Sequence, residues 1–285
     1  MLSYQRGEYE RGDLLYRDGD RTRAGDVAEN YFGDPFDPSE FAERRYAYID
    51  GPVIDVGCGA GRDALYLQER YETLAVDVSP PAVRAARERG VAHAAVMDMF
   101  DLAVPDGRFR SVHVVGTQAS LASSLTGMSA LLAEFARVTD AHGTAVVDML
   151  DPTVDGFEEA FGYRRDFRRG MARRTFHFEY RAARRAAERA SGEESEPRAG
   201  EGRRPSDCAS GERSEPRAGA ARRNATDPND DSTDPRPGDL IGPTLDFLLV
   251  DPERFREAVA ATEWSVAEVL RREAGSAHYA LALEK

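Results

Sequence analysis

The stretch that most constrains this chain is Val53-Ile54-Asp55-Val56-Gly57-Cys58-Gly59-Ala60-Gly61-Arg62. An apolar run broken only by Asp55 leads into three glycines at alternate positions, and Asp63 to Arg70 then reads as a helix. A buried strand that ends in a glycine turn and opens a helix is how α/β folds build a ligand cleft at the carboxyl edge of a sheet. Glycine tolerates positive φ and leaves its backbone bare, so a ligand can lie against the loop. A dinucleotide fingerprint reads G-x-G-x-x-G and aims a helix N-terminus at a pyrophosphate. Here the pattern is D-x-G-x-G-x-G, with Gly61 one position early and a carboxylate two positions before the first glycine. A phosphate cradle gains nothing from that carboxylate, whereas a ligand with a cationic amino group does. A tight βα turn with no ligand needs one glycine, not three.

The pattern around this stretch alternates strand and helix. Strands are expected at Pro52–Gly57, Thr73–Val78, Ala92–Met97, Phe109–Gly116 and Thr144–Leu150, and helices at Pro80–Arg89 and Leu121–Thr139. Ser79 followed by Pro80 starts a helix, Gly90 stops it, and Leu131, Leu132, Phe135 and Val138 fall at helical spacing. Such alternation implies a doubly wound parallel sheet with right-handed crossovers. The rhythm then changes. Arg173–Tyr180 alternates strictly, with Phe176, Phe178 and Tyr180 on one face, and Leu245–Val250 reads as a second strand. Between them, 188–239 holds almost no aliphatic residues and nearly repeats itself, Ser191 to Gly200 recurring at Ser210 to Gly219. Composition of this kind predicts a disordered insertion at the tip of a hairpin. Asp251-Pro252-Glu253 opens a helix with Phe255, Val259 and Ala260 inward, and Trp264–Leu270 and His278–Leu283 form an antiparallel pair closing the sheet. The expected organisation is an N-terminal arm over 1–46, leading into one helix capped by Ser39. After it come a core with the start of a small β lid over 47–187, the insertion over 188–239, and the lid strand, helix and closing strands over 240–285.

Two further acids fall at strand ends. Asp77 lies where α/β cofactor sites place an acid that accepts both ribose hydroxyls, and Val78 beside it can pack on a flat ring. Asp98 can accept from an exocyclic amine, with Met99 as a soft apolar wall. Each acid has a plainer reading as a helix or turn cap. Their joint placement suits a ligand made of an amino acid, a ribose and an adenine.

From Tyr31 to Leu150 the chain resembles the class I S-adenosylmethionine (SAM)-dependent methyltransferases. The resemblance implies that Asp55, Gly57, Gly59 and Gly61, with Cys58 in the same loop, hold the methionine part of SAM. It implies that Asp77 binds the ribose, that Asp98 and Met99 meet the adenine, and that Thr117 lies by position at the floor below the methyl group. The implied fold is a seven-stranded, mainly parallel Rossmann-like sheet with its last strand antiparallel. The strands around the insertion look like the lid of small-molecule members, and Tyr31-Phe32 would fold over the cofactor mouth. The implied function is methyl transfer from SAM to a small-molecule acceptor. The alternatives are a nicotinamide-linked Rossmann oxidoreductase and a non-catalytic SAM-binding protein. A sulfonium methyl is already activated, so alignment matters more than a base, and no catalytic residue is singled out among His177, Tyr180, His278 and Tyr31. The Asn-Pro-Pro-Tyr motif of exocyclic-amine methylases is missing after the fourth strand, which speaks against nucleic-acid bases as acceptors. No metal site is expected.

No run of about 18 apolar residues occurs, and the first ten residues have no apolar core, so neither a membrane span nor a signal peptide is expected. Two cysteines, Cys58 and Cys208, suggest a reduced, cytoplasmic setting. The net charge is −13, and Lys285 is the only lysine among 38 basic residues. Acidity of this kind opposes phosphate-backbone partners and also suits a halophile, since salt screens self-repulsion. Thermal unfolding is therefore expected at higher temperature in molar salt than in dilute buffer; equal midpoints would rule out the halophilic reading.

Overall fold

The computed structural model describes residues 1–9, 12–36, 38–181 and 240–285. The expected insertion over 188–239, with Cys208, and the end of the preceding segment over 182–187 lie outside the described residues.

The chain opens with helix α1 (Leu2–Gln5), a hairpin of β1 (Leu14–Asp18) and β2 (Arg21–Ala24), and helices α2 (Val27–Phe32) and α3 (Glu40–Tyr46). The expected alternation follows as β3 (Val53–Val56), α4 (Arg62–Gln68), β4 (Thr73–Asp77), α5 (Pro80–Glu88), β5 (Ala94–Val96), β6 (Phe109–Val114), α6 (Leu125–Val138) and β7 (Thr139–Leu150). Then come β8 (Tyr163–Arg165), β9 (Met171–Tyr180), β10 (Leu240–Val250), α7 (Pro252–Val259), β11 (Ser265–Arg271) and β12 (His278–Glu284). Short polar side chains set the helix starts. Ser39, Ser79, Ser124 and Asp251 accept from the amides of Ala42, Ala82, Gly127 and Arg254, satisfying donors that the helices leave open.

The seven-stranded sheet runs β11-β12-β7-β6-β3-β4-β5. The five strands from β7 to β5 are parallel, while β12 is antiparallel to β7 and β11 to β12, as expected for the closing pair. β3 pairs with β4 on one side and β6 on the other, so the chain reverses its direction of travel there and opens a crevice at the carboxyl ends. The side chains of β3 divide by pleat. Ile54 and Val56 join a core with Leu131, Leu132, Phe135, Phe255 and Trp264, while Val53 faces Phe41, Ile49 and Leu67. The Trp264 indole donates to the Leu132 carbonyl at 2.8 Å, which fastens α6 to the start of β11.

Several local expectations are corrected. The segment 1–46 is not an arm leading into a single helix, because β1 pairs with β9 and extends the lid into a sheet ordered β10-β9-β1-β2, with β8 also on β9. The hairpin is fastened by Arg17, whose guanidinium donates to Glu179 at 3.1 Å with both side chains buried. The helix expected over Leu121–Thr139 divides into a 3-10 turn, Gln118–Ala122, and α6, because Ser123 stands at φ 61° and Ser124 caps the new helix. On α7 the inward residues are Phe255, Ala258 and Val259, and Ala260 is exposed.

Gly61 caps α4 at φ 78°, and a Cβ there would stand 2.5 Å from Val91 and 3.0 Å from Ala86. Its missing side chain lets the loop pack under α5. Gly61→Ala is expected to destabilise the fold by about 1–3 kcal/mol, from left-handed strain and overpacking. A thermal midpoint unchanged from wild type would show that the contact relaxes.

Candidate cofactor site at the carboxyl edge of the parallel sheet

The glycine loop leaves β3 at the crevice. Gly57 and Cys58 both donate to the Val76 carbonyl, at 2.8 and 3.0 Å, and Gly61 donates to the Cys58 carbonyl at 2.8 Å. Gly59 donates to Asp77 Oδ2 at 2.9 Å. Four loop amides are thus consumed by the protein itself, which is a poor arrangement for a phosphate. Across the crevice, a Cβ on Gly57 would stand 2.6 Å from Cγ of Gln118, in the turn that follows β6. Burial pushes the Cys58 thiol up, so it stays protonated.

Asp55 is 2% exposed and sits opposite His113 in the β3–β6 register, with Oδ1 2.8 Å from Nδ1 of that ring. Burial pushes the Asp55 carboxyl up, and the hydrogen bond and charge of His113 pull against that shift. Among the described residues, Oδ2 of Asp55 is buried without a partner. His113 carries no sequence signal beyond being a lone histidine in an apolar strand.

The structure brings the other sequence candidates along the same edge. Asp77 ends β4 and accepts from the amides of Gly59 and Ser79, the latter at 2.8 Å. A carboxylate offers about four acceptor sites, so two remain for a ligand. Ser79, not Asp77, caps α5. Val78 is 71% exposed and Phe100 44%, which leaves two apolar walls bare beside Asp77 and Asp98. Asp98 Oδ1 accepts from the Phe100 amide at 3.0 Å in a tight turn, and Met99 packs against the main core.

Thr117 lies past β6 in the left-handed region at φ 61°, and its amide donates to Asp148 Oδ1 at 2.7 Å. Asp148 Oδ2 accepts from Gly116 N at 3.0 Å and stands 2.8 Å from His278 Nε2, with Arg45 at 3.7 Å. Burial pushes the Asp148 carboxyl up, but His278, Arg45 and the Thr117 amide together hold it below the usual range. One buried carboxylate thus fixes the strained turn and orients a histidine at the same edge. Of the other candidates, His177 faces Glu179 at 3.4 Å in the lid, and Tyr180 lies on the same strand with no bond to this edge. Tyr31 packs on the loop: a Cβ on Gly59 would stand 3.3 Å from its ring. Burial lifts its hydroxyl to about 12. Arg89 ties that contact down by donating to the carbonyls of Tyr31 and Ala60, at 3.1 and 2.8 Å.

A carboxylate oxygen without a partner beside the glycine loop, a strand-end acid with spare acceptor sites, and bare apolar walls beside a third acid fit the amino, ribose and adenine parts of SAM in turn. Asp77→Ala is expected to weaken binding of SAM by about 1.5–3 kcal/mol, the scale of a charged hydrogen bond; calorimetry returning wild-type affinity would remove Asp77 from the site.

Comparison with known proteins accords with this geometry. A family model for a methyltransferase domain matches residues 53–143, the stretch from β3 into the start of β7. A methyltransferase of 2-heptyl-1-hydroxyquinolin-4(1H)-one from Mycobacteroides abscessus is 37% identical over 71 residues, covering 22% of this chain and 31% of that protein. The chain thus spans about a third of the length of this curated relative. A Bacteroides fragilis SAM-dependent methyltransferase, solved with S-adenosyl-L-homocysteine, superposes with a TM-score of 0.63 at 16% identity, covering 99% of this chain and 91% of that one. The sugar N-methyltransferase KedS8 from Streptoalloteichus superposes with a TM-score of 0.53 at 15% identity, covering 93% and 97%. Residues 53–143 thus match a methyltransferase domain, and the chain shares the fold of solved SAM-dependent methyltransferases.

Proposed function

We propose that this protein transfers a methyl group from SAM to a small-molecule acceptor. The observation that carries the reading is the order of acids along one sheet edge, Asp55, Asp77 and Asp98 on β3, β4 and just past β5, beside a loop whose amides are already spent. When bound, SAM supplies an electrophilic methyl on a positively charged sulfur. The protein's residues position that group: Asp55 would face the amino end, Asp77 the ribose, and Asp98 with Val78 and Met99 the adenine.

A small acceptor fits the lid. Tyr16 meets Phe176 and Phe178 at ring distances of 5.2 and 5.1 Å, and Phe176 stacks on Phe247 at 5.4 Å, so one face of the lid sheet is an aromatic wall. Such a wall suits an organic molecule, and the net charge of −13 disfavours a phosphate backbone. His278 is the side chain best placed to take a proton from the acceptor. Asp148 accepts from its Nε2, so in the neutral ring Nδ1 is the free acceptor, and its side chain is 27% exposed. A proton taken at Nδ1 gives an imidazolium that Asp148 stabilises, while Thr117 and Gly116 stay fixed on the same carboxylate. Among the described residues no helix is long and apolar enough to cross a membrane. A cytoplasmic setting fits Cys58, which forms no disulfide among the described residues.

Calorimetry with SAM, S-adenosylhomocysteine and NAD tests the reading. Binding of both adenosyl ligands without NAD is expected. Tight NAD binding with neither adenosyl ligand would overturn it in favour of an oxidoreductase. Incubation of a metabolite extract with methyl-labelled SAM then identifies the acceptor; retained binding with no transfer to any fraction would leave a SAM-binding protein.

A further inference from the structure

The sequence reading treats Asp55 as a free anion waiting for the donor's amino group, but in the fold it is one half of a pair. We infer that His113 is a positioning residue of the cofactor site: it holds the Asp55 carboxylate beside the glycine loop, and the proton it carries decides how much negative charge that carboxylate offers to a cationic amino group. This inference rests on the SAM reading above and extends it to the amino-acid end of the ligand.

The geometry is specific. Asp55 and His113 are direct cross-strand partners at the switch point between β3 and β6, two residues before Gly57 and three before Gly116. Their side chains are 3% and 0% exposed. One bond joins them, Oδ1 to Nδ1 at 2.8 Å, and the outer atom of each partner, Oδ2 of Asp55 and Nε2 of His113, is buried without a partner among the described residues. Buried polar atoms are rarely left so in a folded protein, and two in one pair mark a place where a ligand group or an ordered water completes the bonding.

The charged and titratable surroundings come from every neighbouring element. Asp63 and Arg62 of α4, Tyr46 and Arg45 of α3, Asp77 of β4 and the Cys58 thiol lie around the pair. Asp63 is already engaged by Tyr46 and Arg62, and both Asp77 oxygens accept from the amides of Ser79 and Gly59, so among the described residues Asp55 is the acid around this pair with an oxygen to spare.

The charge logic follows. With the ring neutral, Nδ1–H donates to Asp55 and the pair carries one net negative charge toward the ligand. With the ring protonated, the pair is neutral and attracts an ammonium group less. Binding of the cationic amino group to the protonated pair therefore expels one proton to solvent, and no other bond changes.

The test uses the full chain and S-adenosylhomocysteine, titrated by calorimetry from pH 5.5 to 8.5 in buffers of different ionisation enthalpy. Wild type is expected to release up to one proton at the acid end and to bind more tightly as pH rises, by at most about tenfold per pH unit, the limit for one linked proton. His113→Asn keeps a donor near Oδ1 but cannot titrate there. It is expected to bind within a few-fold of wild type at pH 8.5 and to lose both the proton release and the pH slope. Methylthioadenosine, which has the ribose and adenine but no amino acid, is expected to release no proton. Wild-type binding with no proton release, the same release in His113→Asn, or the same release with methylthioadenosine would each overturn the inference. Failure of wild type to bind S-adenosylhomocysteine at any pH would instead overturn the SAM reading beneath it.

Discussion

The site depends on β3 being hydrogen-bonded on both sides by parallel strands. Pairing with β4 and β6 buries all four residues of β3 and leaves its carboxyl end as the point where the chain turns back on itself. Two loops must leave the sheet side by side there, and they meet where Gln118 lies over Gly57. A side chain on Gly57 would collide with that glutamine, so the loop stays low and the crevice stays open. The carboxyl ends of β4 and β5 then carry Asp77 and Asp98 along the same edge.

Two acids turn this geometry into a rigid frame. Asp77 fastens the glycine loop to the end of β4, and Asp148 fastens the turn after β6 to β7 and, through His278, to β12. Both act through charge-assisted hydrogen bonds to backbone amides, which are stronger than neutral ones. The carboxylates therefore do the work that free amides do in a phosphate loop, but with opposite sign.

Much of this was legible in the chain. Central parallel strands read as apolar runs because both faces are covered, and β3, β4, β6 and β7 are legible for that reason. The positions of Asp77 and Val78 at the end of β4, and of Asp98 and Met99 just past β5, are legible because each pair closes an apolar run. What was hidden depends on partners far apart in sequence. The β1–β2 hairpin looked like a polar arm because Arg17, at a buried position, is compensated by Glu179, 162 residues away. His113 and Asp148 read as stray polar residues in strands, since nothing local shows that Asp55 and His278 stand against them. Gly61 read as part of a ligand loop, whereas its bare Cα also serves packing against Val91 and Ala86. Side chains that touch across strands leave no spacing signal, and this site is joined largely by such contacts.

The most direct measurement is a crystal structure of the chain with S-adenosylhomocysteine. The account predicts both ribose hydroxyls within about 3.2 Å of the Asp77 carboxylate, the ordinary hydrogen-bond range, with the adenine between Val78 and the Asp98–Met99 segment. A nucleoside bound away from the ends of β3, β4 and β5, with Asp77 making no bond beyond the amides of Gly59 and Ser79, would contradict it.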